Sequence, residues 1–400
     1  MIVTNWTGVE VRLLRTEALR RTQREFSALS GFSLAVIRKW EGRGRSITLA
    51  GEFAEGMDTL FRRLTDEQRA RFQSALSSNR NGLAMCGAGE NPSRGMDPRQ
   101  SLDPAAVRRL RSLICDLNES YGSEPSTSLL AQAGQYLGQV QIFQMYAATE
   151  PIRRELLAVE AHAATFMSRL VWDASQRRDN STANHYIDQA VAAARNLGDP
   201  IAEGQALLRK CYVALYGEKN PTQGMRLTKQ VVDTSRRASS ELASMALLHQ
   251  AEAFAMLGHE FECEKALSEA DSCFENLDDN DYSLGMYSPG QRGRLAGSCY
   301  LSLGKAKQAQ SILEHTAHEV HENLKTEAII VGNLGLAYVR QHALDEAAAT
   351  LHRAIDLLEE TRGGAGLNIV FSACREMQAF RMQPVIRDVY DRVLSLMATT

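Results

Sequence analysis

Apolar residues recur at intervals of three and four along nearly the whole chain, and no sustained alternation marks a strand, so the pattern predicts an all-α fold. In the N-terminal part the periodic stretches are short: Gly8 to Leu19, Gln23 to Ser30, Leu34 to Glu41, an interrupted stretch from Ile47 to Leu64, and Asp66 to Leu76. Together they predict one small domain over residues 1–78. From Asn79 to Pro104 the periodicity stops. The run NRNGLAMCGAGENPSRGMDPRQSLDP is rich in Gly, Pro, Asn and Ser and too poor in large apolar side chains to bury a core of its own, which predicts a flexible linker over 79–104. Helical spacing then resumes from Pro104 to Tyr121, Ser128 to Tyr146, Pro151 to Gln176 and Thr182 to Leu197, and continues in pairs. Helix after helix with short turns predicts a stacked array over residues 105–400.

Composition agrees with this pattern. Of 400 residues, 6% are aromatic and only 9 are Pro, a mix that favours helices over packed sheets. The most apolar stretch, Ala328 to Val339, is interrupted by Asn333 and is shorter than the roughly 18 to 20 residues that span a bilayer, so no membrane partner is expected. The opening residues carry no apolar signal core before a small-residue cleavage site, which leaves the cytoplasm as the expected location. Seven cysteines, an odd number with no C-x-x-C among them, suggest neither a disulfide framework nor a zinc ribbon. The net charge of −3 hides an asymmetry: residues 1–80 hold 14 Lys and Arg against 9 Asp and Glu, while the remainder holds 31 against 39. A basic head on an acidic body suggests a polyanionic partner for the head alone.

Two short helices in the head are each opened by a hydroxyl, Thr22 and Ser33, and separated by Gly31. A glycine there permits the left-handed backbone that ends one helix and turns the chain into the next, the geometry of a helix-turn-helix. Phe26, Leu29, Val36, Ile37 and Trp40 are expected to face the core. Leu34, Ala35, Arg38 and Lys39 are left to project from the second helix, whose dimensions suit a major groove.

These residues resemble the Xre/Cro-type helix-turn-helix regulators, in particular an actinobacterial branch that opens with W-T-G-x-E-V-R-x-L-R and closes its recognition helix with W-E. Trp6 to Arg15 and Trp40-Glu41 reproduce both motifs, and Met57 to Leu60 and Glu67 to Phe72 look like the segment that closes the domain. The resemblance implies that Gln23 meets a DNA phosphate, that Ser33, Leu34, Ala35 and Lys39 meet bases, and that Arg38, Arg43 and Arg45 lie beside the DNA backbone. It departs from the pattern at Ser30, where an aliphatic residue is usual. A hydroxyl there either weakens the core or bonds back to the preceding turn. Leu34 and Ala35 offer bases no hydrogen bonds, so direct readout would rest on thymine methyl groups, Lys39 and Arg38.

In the body, the stretch from Asn333 to Leu357 resembles a tetratricopeptide (TPR) repeat, with Gly335, Tyr338, Ala347, Leu351 and Ala354 at the interlocking positions. The same frame fits Gly297, Tyr300, Gly304, Ala309 and Leu313, and Ala251, Phe254, Gly258, Cys263, Leu267 and Ala270. Weaker copies centre on Trp172, Ala183, Ile187 and Ala190, and on Tyr212 to Val231. The frame recurs after 46 residues (263 to 309) and 38 residues (309 to 347), longer than the usual 34, and His342 stands where a turn glycine is usual. Such repeats stack into a solenoid whose first helices line a concave groove. Gln250, Glu252, Arg294, Asn333 and Arg340 are the candidate lining residues for an effector, with local packing as the other reading of Asn333.

No catalytic residues, metal ligands or cofactor are expected. His315, His318 and His321 recur every third residue and so drift around their helix, unlike an H-E-x-x-H pair, and Gly87-Ala-Gly89 and Gly363 to Gly366 lack the partners of a phosphate loop. The resulting expectation is a non-enzymatic transcriptional regulator: a homodimer on a palindromic operator of double-stranded DNA, with a TPR-like array that binds a peptide or small-molecule effector or mediates dimerisation. The resemblance further implies control of secondary metabolism or development. The alternative is a TPR protein-interaction scaffold whose helix-turn-helix has degraded at Ser30 and no longer reads DNA.

Overall fold

The computed structural model describes residues 6–32, 34–43, 49, 52–62, 64–65, 68–69 and 71–72, then 102–275, 287–319 and 323–398. Two compact units result, Met1–Met96 and Asp97–Thr400. The described residues are helical with no strand. Most of the linker predicted over 79–104 lies outside the described residues, as do Ser33 and Arg45; the side chains of Ala35 and Arg43 lie outside them too.

The N-terminal unit contains α1 (Gly8–Leu13), continued by one π-helical turn (Leu14–Ala18), α2 (Gln23–Ser30), α3 (Leu34–Arg43) and α4 (Glu52–Arg62). Reciprocal capping boxes fix the first two starts: Thr7 pairs with Glu10, and Thr22 with Glu25. Gly31 ends α2 at φ 76°, the left-handed conformation the turn requires. α3 packs on α1 and α2, around a core of Trp6, Val11, Leu14, Phe26, Ile37, Trp40 and Met57. Leu29, expected in that core, is instead 52% exposed. Phe32 fills the gap, its ring 5.2 Å from Trp40 and 5.7 Å from Phe53. Ser30 is accommodated locally, with its hydroxyl accepting from Phe32 N–H at 3.3 Å.

The second unit contains α5 (Pro104–Ser120), α6 (Ser126–Tyr146), α7 (Glu150–Ala174), α8 (Asn180–Leu197), α9 (Pro200–Tyr212) with a π turn (Val213–Gly217), and α10 (Pro221–Ser235). It continues with α11 (Ser240–Met256), α12 (Glu260–Glu275), α13 (Pro289–Ser302), α14 (Ala306–Glu319), α15 (Leu324–Arg340), α16 (Leu344–Thr361), α17 (Gly364–Glu376) and α18 (Pro384–Ala398). Local chemistry sets many starts. Asp103, Asp199, Asn220 and Ser288 each cap a helix whose first residue is Pro, which has no N–H to leave unsatisfied. Turn glycines Gly258 and Gly304 take φ of 77° and 75°, and His342 takes the same left-handed conformation at φ 59°. The extra length in the longest repeat spacing falls between Glu275 and Pro289.

Within this unit each helix packs on its successor except at the step from α12 to α13, and α7, α9, α11, α13, α15 and α17 also pack on one another in that order. The small-on-large interlock expected from the sequence is present. A Cβ added to Gly297 of α13 would come within 2.5 Å of Leu313 Cδ2 on α14, and one added to Gly335 of α15 within 2.8 Å of Leu351 Cδ2 on α16. Gly297→Ala is therefore expected to cost about 1 kcal/mol net, overpacking outweighing the gain from removing a helical glycine. Gly138→Ala on α6, where an added Cβ meets nothing within 4 Å, should instead stabilise by about 0.5–1 kcal/mol. Urea unfolding of the two variants checks the opposite signs.

The inner layer closes on itself. α17 packs against α7, and a buried polar clasp fastens them: Asp173 accepts from Lys325 Nζ at 3.1 Å, from Ser126 Oγ at 2.7 Å and, through its other oxygen, from Gly364 N–H at 2.8 Å. Lys325 N–H donates to Gly122 O at 3.1 Å and Asn368 Nδ2 to Gln176 O at 3.2 Å, so residues 152 to 203 apart in sequence meet along one seam.

Candidate effector cavity

Closure of the inner helices leaves a cavity of about 990 Å³ between them, at the upper end of the range for small-molecule sites. Side chains enter it once per turn: Gln205, Arg209, Tyr212 and Tyr216 from α9 and its π turn, Met245, His249, Glu252 and Met256 from α11, Gln291, Arg294, Ser298 and Ser302 from α13. A spacing of three and four on each inner helix produces this row. Tyr216, within the π turn at Val213–Gly217, keeps that spacing and meets His249 of α11.

Of the sequence-predicted lining residues, Glu252, Arg294 and Asn333 face the cavity. Gln250 and Arg340 do not line it. Arg340 is bound elsewhere, bidentate to Glu376 at 2.8 and 2.9 Å and to Leu301 O at 2.6 Å. The residues that sequence reasoning missed include a cationic set, Arg169, Arg177, Arg209 and Lys219 among them. Helical spacing from Arg169 through Trp172 to Gln176 was a usable signal for the first. Arg177 lies past the end of α7 with φ 60°, where periodicity says nothing.

Glu252 is held by its neighbours. Tyr216 donates its hydroxyl to the carboxylate and lies 2.8 Å from His249 Nδ1, which in turn is 2.9 Å from Glu252 Oε2. Burial alone would raise the Glu252 carboxyl; the hydrogen bond and charge of His249, the Arg294 guanidinium and the Tyr216 hydroxyl hold it below its ordinary value. Burial and the nearby Glu252 charge push the Tyr216 phenol well up, so it stays a donor. His249 Nε2 is buried with no hydrogen-bond partner. Asn333 is 6% exposed and packs among apolar neighbours while still reaching the cavity wall.

In the N-terminal unit, Arg38 and Lys39 are exposed on α3 and Leu34 is half-buried. Gln23 is half-buried and donates Nε2 to Glu41 at 2.8 Å, and Glu41 also accepts Arg15 Nε at 2.6 Å and Nη2 at 2.8 Å. Trp6 Nε1 donates to Asp58 at 2.7 Å. The sequence motifs of this unit thus hold one another. Among the described residues no group of three or more His, Cys, Asp and Glu is placed to hold a metal, and no helix is long and apolar enough to cross a membrane. His321 lies outside the described residues.

No protein-family model and no curated protein matches the chain. Solved structures similar to it include a Rap protein complexed with competence and sporulation factor, at TM-score 0.45 and 11% identity over 74% of this chain and 98% of that one. Another is the APC/C Cut9–Hcn1 hetero-tetramer, at TM-score 0.40 and 14% identity over 99% of this chain and 65% of that one. At these scores the likeness adds nothing to the helix pairing described above.

Proposed function

We propose that the chain is a ligand-responsive DNA-binding regulator: a TPR-like array takes an effector into its closed inner ring, and the N-terminal helix-turn-helix docks on DNA as part of a homodimer. The observation that carries the first half is the cavity itself, walled by polar and charged side chains from successive inner helices. The second half is supported by the α2–Gly31–α3 geometry, by the exposed Arg38 and Lys39, and by the positive balance of residues 1–80. An effector that favours one arrangement of the inner ring over another alters DNA affinity by that difference in binding free energy.

The experiment is selection of sheared genomic fragments by the purified full chain at near-physiological salt, followed by sequencing. A shared palindrome is the expected product. On the selected site Lys39→Ala should cost about 1–3 kcal/mol and cost less on random DNA, whereas Arg38→Ala should weaken both and flatten the salt slope by about one. Equal loss on both DNAs for Lys39→Ala removes it from base readout. Absence of any enriched fragment favours the second reading, a protein-interaction scaffold. That reading draws on one specific feature, the engagement of Gln23 with Glu41 in place of a free phosphate-facing amide.

A further inference from the structure

Three arginines meet in a recess at one end of the cavity with too few acids to balance them. Arg169 from α7, Arg177 from the turn after it and Arg209 from α9 line this recess together with Tyr121, Trp172 and Tyr212. The carboxylate among the recess residues, Asp173, already serves Lys325, Ser126 and Gly364. The guanidiniums rest on rings instead: Arg169 lies 3.4 Å from the Tyr121 centroid, Arg177 4.6 Å from that of Trp172, and Arg209 5.0 Å from that of Tyr212. An arginine lying over an aromatic face is held in place while N–H groups at its edge remain available to a carboxylate or phosphate.

Two details show that the cluster is incomplete as it stands. Arg177 Nε is buried with no hydrogen-bond partner, a state that native proteins seldom leave uncompensated. Its backbone is left-handed at φ 60°, directly after Gln176 at φ 54°, so two consecutive non-glycine residues are strained to aim this side chain inward. Burial, reinforced by the Arg169 charge, lowers the Arg209 guanidinium to about 10. The excess extends beyond the recess, since eight Arg and Lys line the cavity as a whole against two carboxylates. One monoanion leaves most of that charge unmatched.

Resting on the reading of the cavity as an effector site, we propose that the effector is a small, multiply charged anion, its phosphate or carboxylate groups held by Arg177 and Arg209 in this recess with Arg169 behind them. The alternative of an uncharged ligand leaves the three recess guanidiniums with only aromatic rings beneath them and the Arg177 Nε without a hydrogen-bond partner. A cluster of like charges that repel one another is instead organised for the ligand that neutralises them.

The test uses the full chain with two probes, pyrophosphate for the phosphate source and tricarballylate for the carboxylate source, each against sodium chloride at matched ionic strength. At about 100 times its Kd, the preferred probe should raise the melting temperature of the wild type by about 4 °C beyond the chloride control. The tighter probe by calorimetric titration names the source. Arg177→Gln with Arg209→Gln should weaken it at least tenfold, while the unliganded variant melts no lower than the wild type because buried like charges have been removed. A response of the double variant equal to the wild type overturns the proposal, as does a wild-type response no larger than that to chloride. Native mass spectrometry of the same preparation separates the two levels: a neutral or cationic molecule retained by the chain overturns the anion assignment and leaves the effector cavity standing, whereas no retained molecule and no probe binding counts against both.

Discussion

Asp173→Ala is expected to destabilise the helical array by about 3–5 kcal/mol. The substitution removes a buried carboxylate that serves three donors and leaves the Lys325 ammonium, 5% exposed, with no counter-charge. It also strips Ser126 Oγ and Gly364 N–H of their acceptor, and each orphaned buried group carries its own desolvation penalty. Asp173→Leu with Lys325→Met removes the pair together and should recover much of the loss, since a buried ion pair replaced by apolar groups of similar size is often near neutral. Urea unfolding of the two variants tests the difference. Hydrogen exchange over residues 363–370 locates it, because the seam between α7 and α17 should open before the array unfolds. A single variant within 1 kcal/mol of the wild type, with unchanged exchange at Gly364, means that the clasp does not fasten the ring.

The same clasp predicts a pH dependence. Burial by itself would raise the Asp173 carboxyl, but the Lys325 ammonium, the Ser126 hydroxyl and the Arg177 guanidinium hold it below its ordinary value. A carboxyl with a depressed folded pKa contributes stability that is fully present above its unfolded pKa, near 4, and lost as pH falls through the folded one. Below about pH 4 the ring should therefore loosen. The inner wall would lose its closure in the same range in which Glu252, held down by His249 and Arg294, begins to protonate.

Much of this architecture was legible in the sequence because it is periodic. The inner helices announce themselves by spacings of three and four, and the repeat frame named both members of the Gly297–Leu313 and Gly335–Leu351 interlocks. The expected groove lining held Glu252, Arg294 and Asn333, which sit on the inward stripes of helices matching the frame best. The clasp was not legible. Apart from Ser126 and Asp173, its bonded members are separated by 152 to 199 residues, and nothing local distinguishes Lys325 or Asp173 from ordinary surface charges. The recess was hidden for a second reason. The whole segment after residue 80 is acidic, 31 Lys and Arg against 39 Asp and Glu, yet the cavity wall is cationic, because a summed charge averages an outer surface with an inner one. Arg340 was misplaced by the converse error: its helix lines the cavity, but its own position faces Glu376 on the neighbouring helix.

In the N-terminal unit the largest single effect should come from Glu41→Ala, about 3 kcal/mol. Glu41 has a side chain 6% exposed and neutralises Arg15, itself 12% exposed, through two short hydrogen bonds while also accepting the Gln23 amide. It thereby ties the end of α3 to the π turn after α1 and to the start of α2. Loss of the carboxylate leaves a nearly buried guanidinium unpaired, whereas Gln23→Ala removes one neutral donor and should cost about 1 kcal/mol. The order of these two effects is the decisive quantity. Hydrogen exchange of the α2 and α3 peptides measures it without interference from the array, and DNA binding measured on the same variants connects it to the surface carrying Arg38 and Lys39. If Gln23 serves a phosphate in addition to Glu41, Gln23→Ala weakens DNA binding more than its small stability cost explains. If Gln23 serves only to brace Glu41, both variants lose DNA binding in proportion to the protection lost in α3, and the fixed orientation of that helix is what the Arg15–Glu41–Gln23 network supplies.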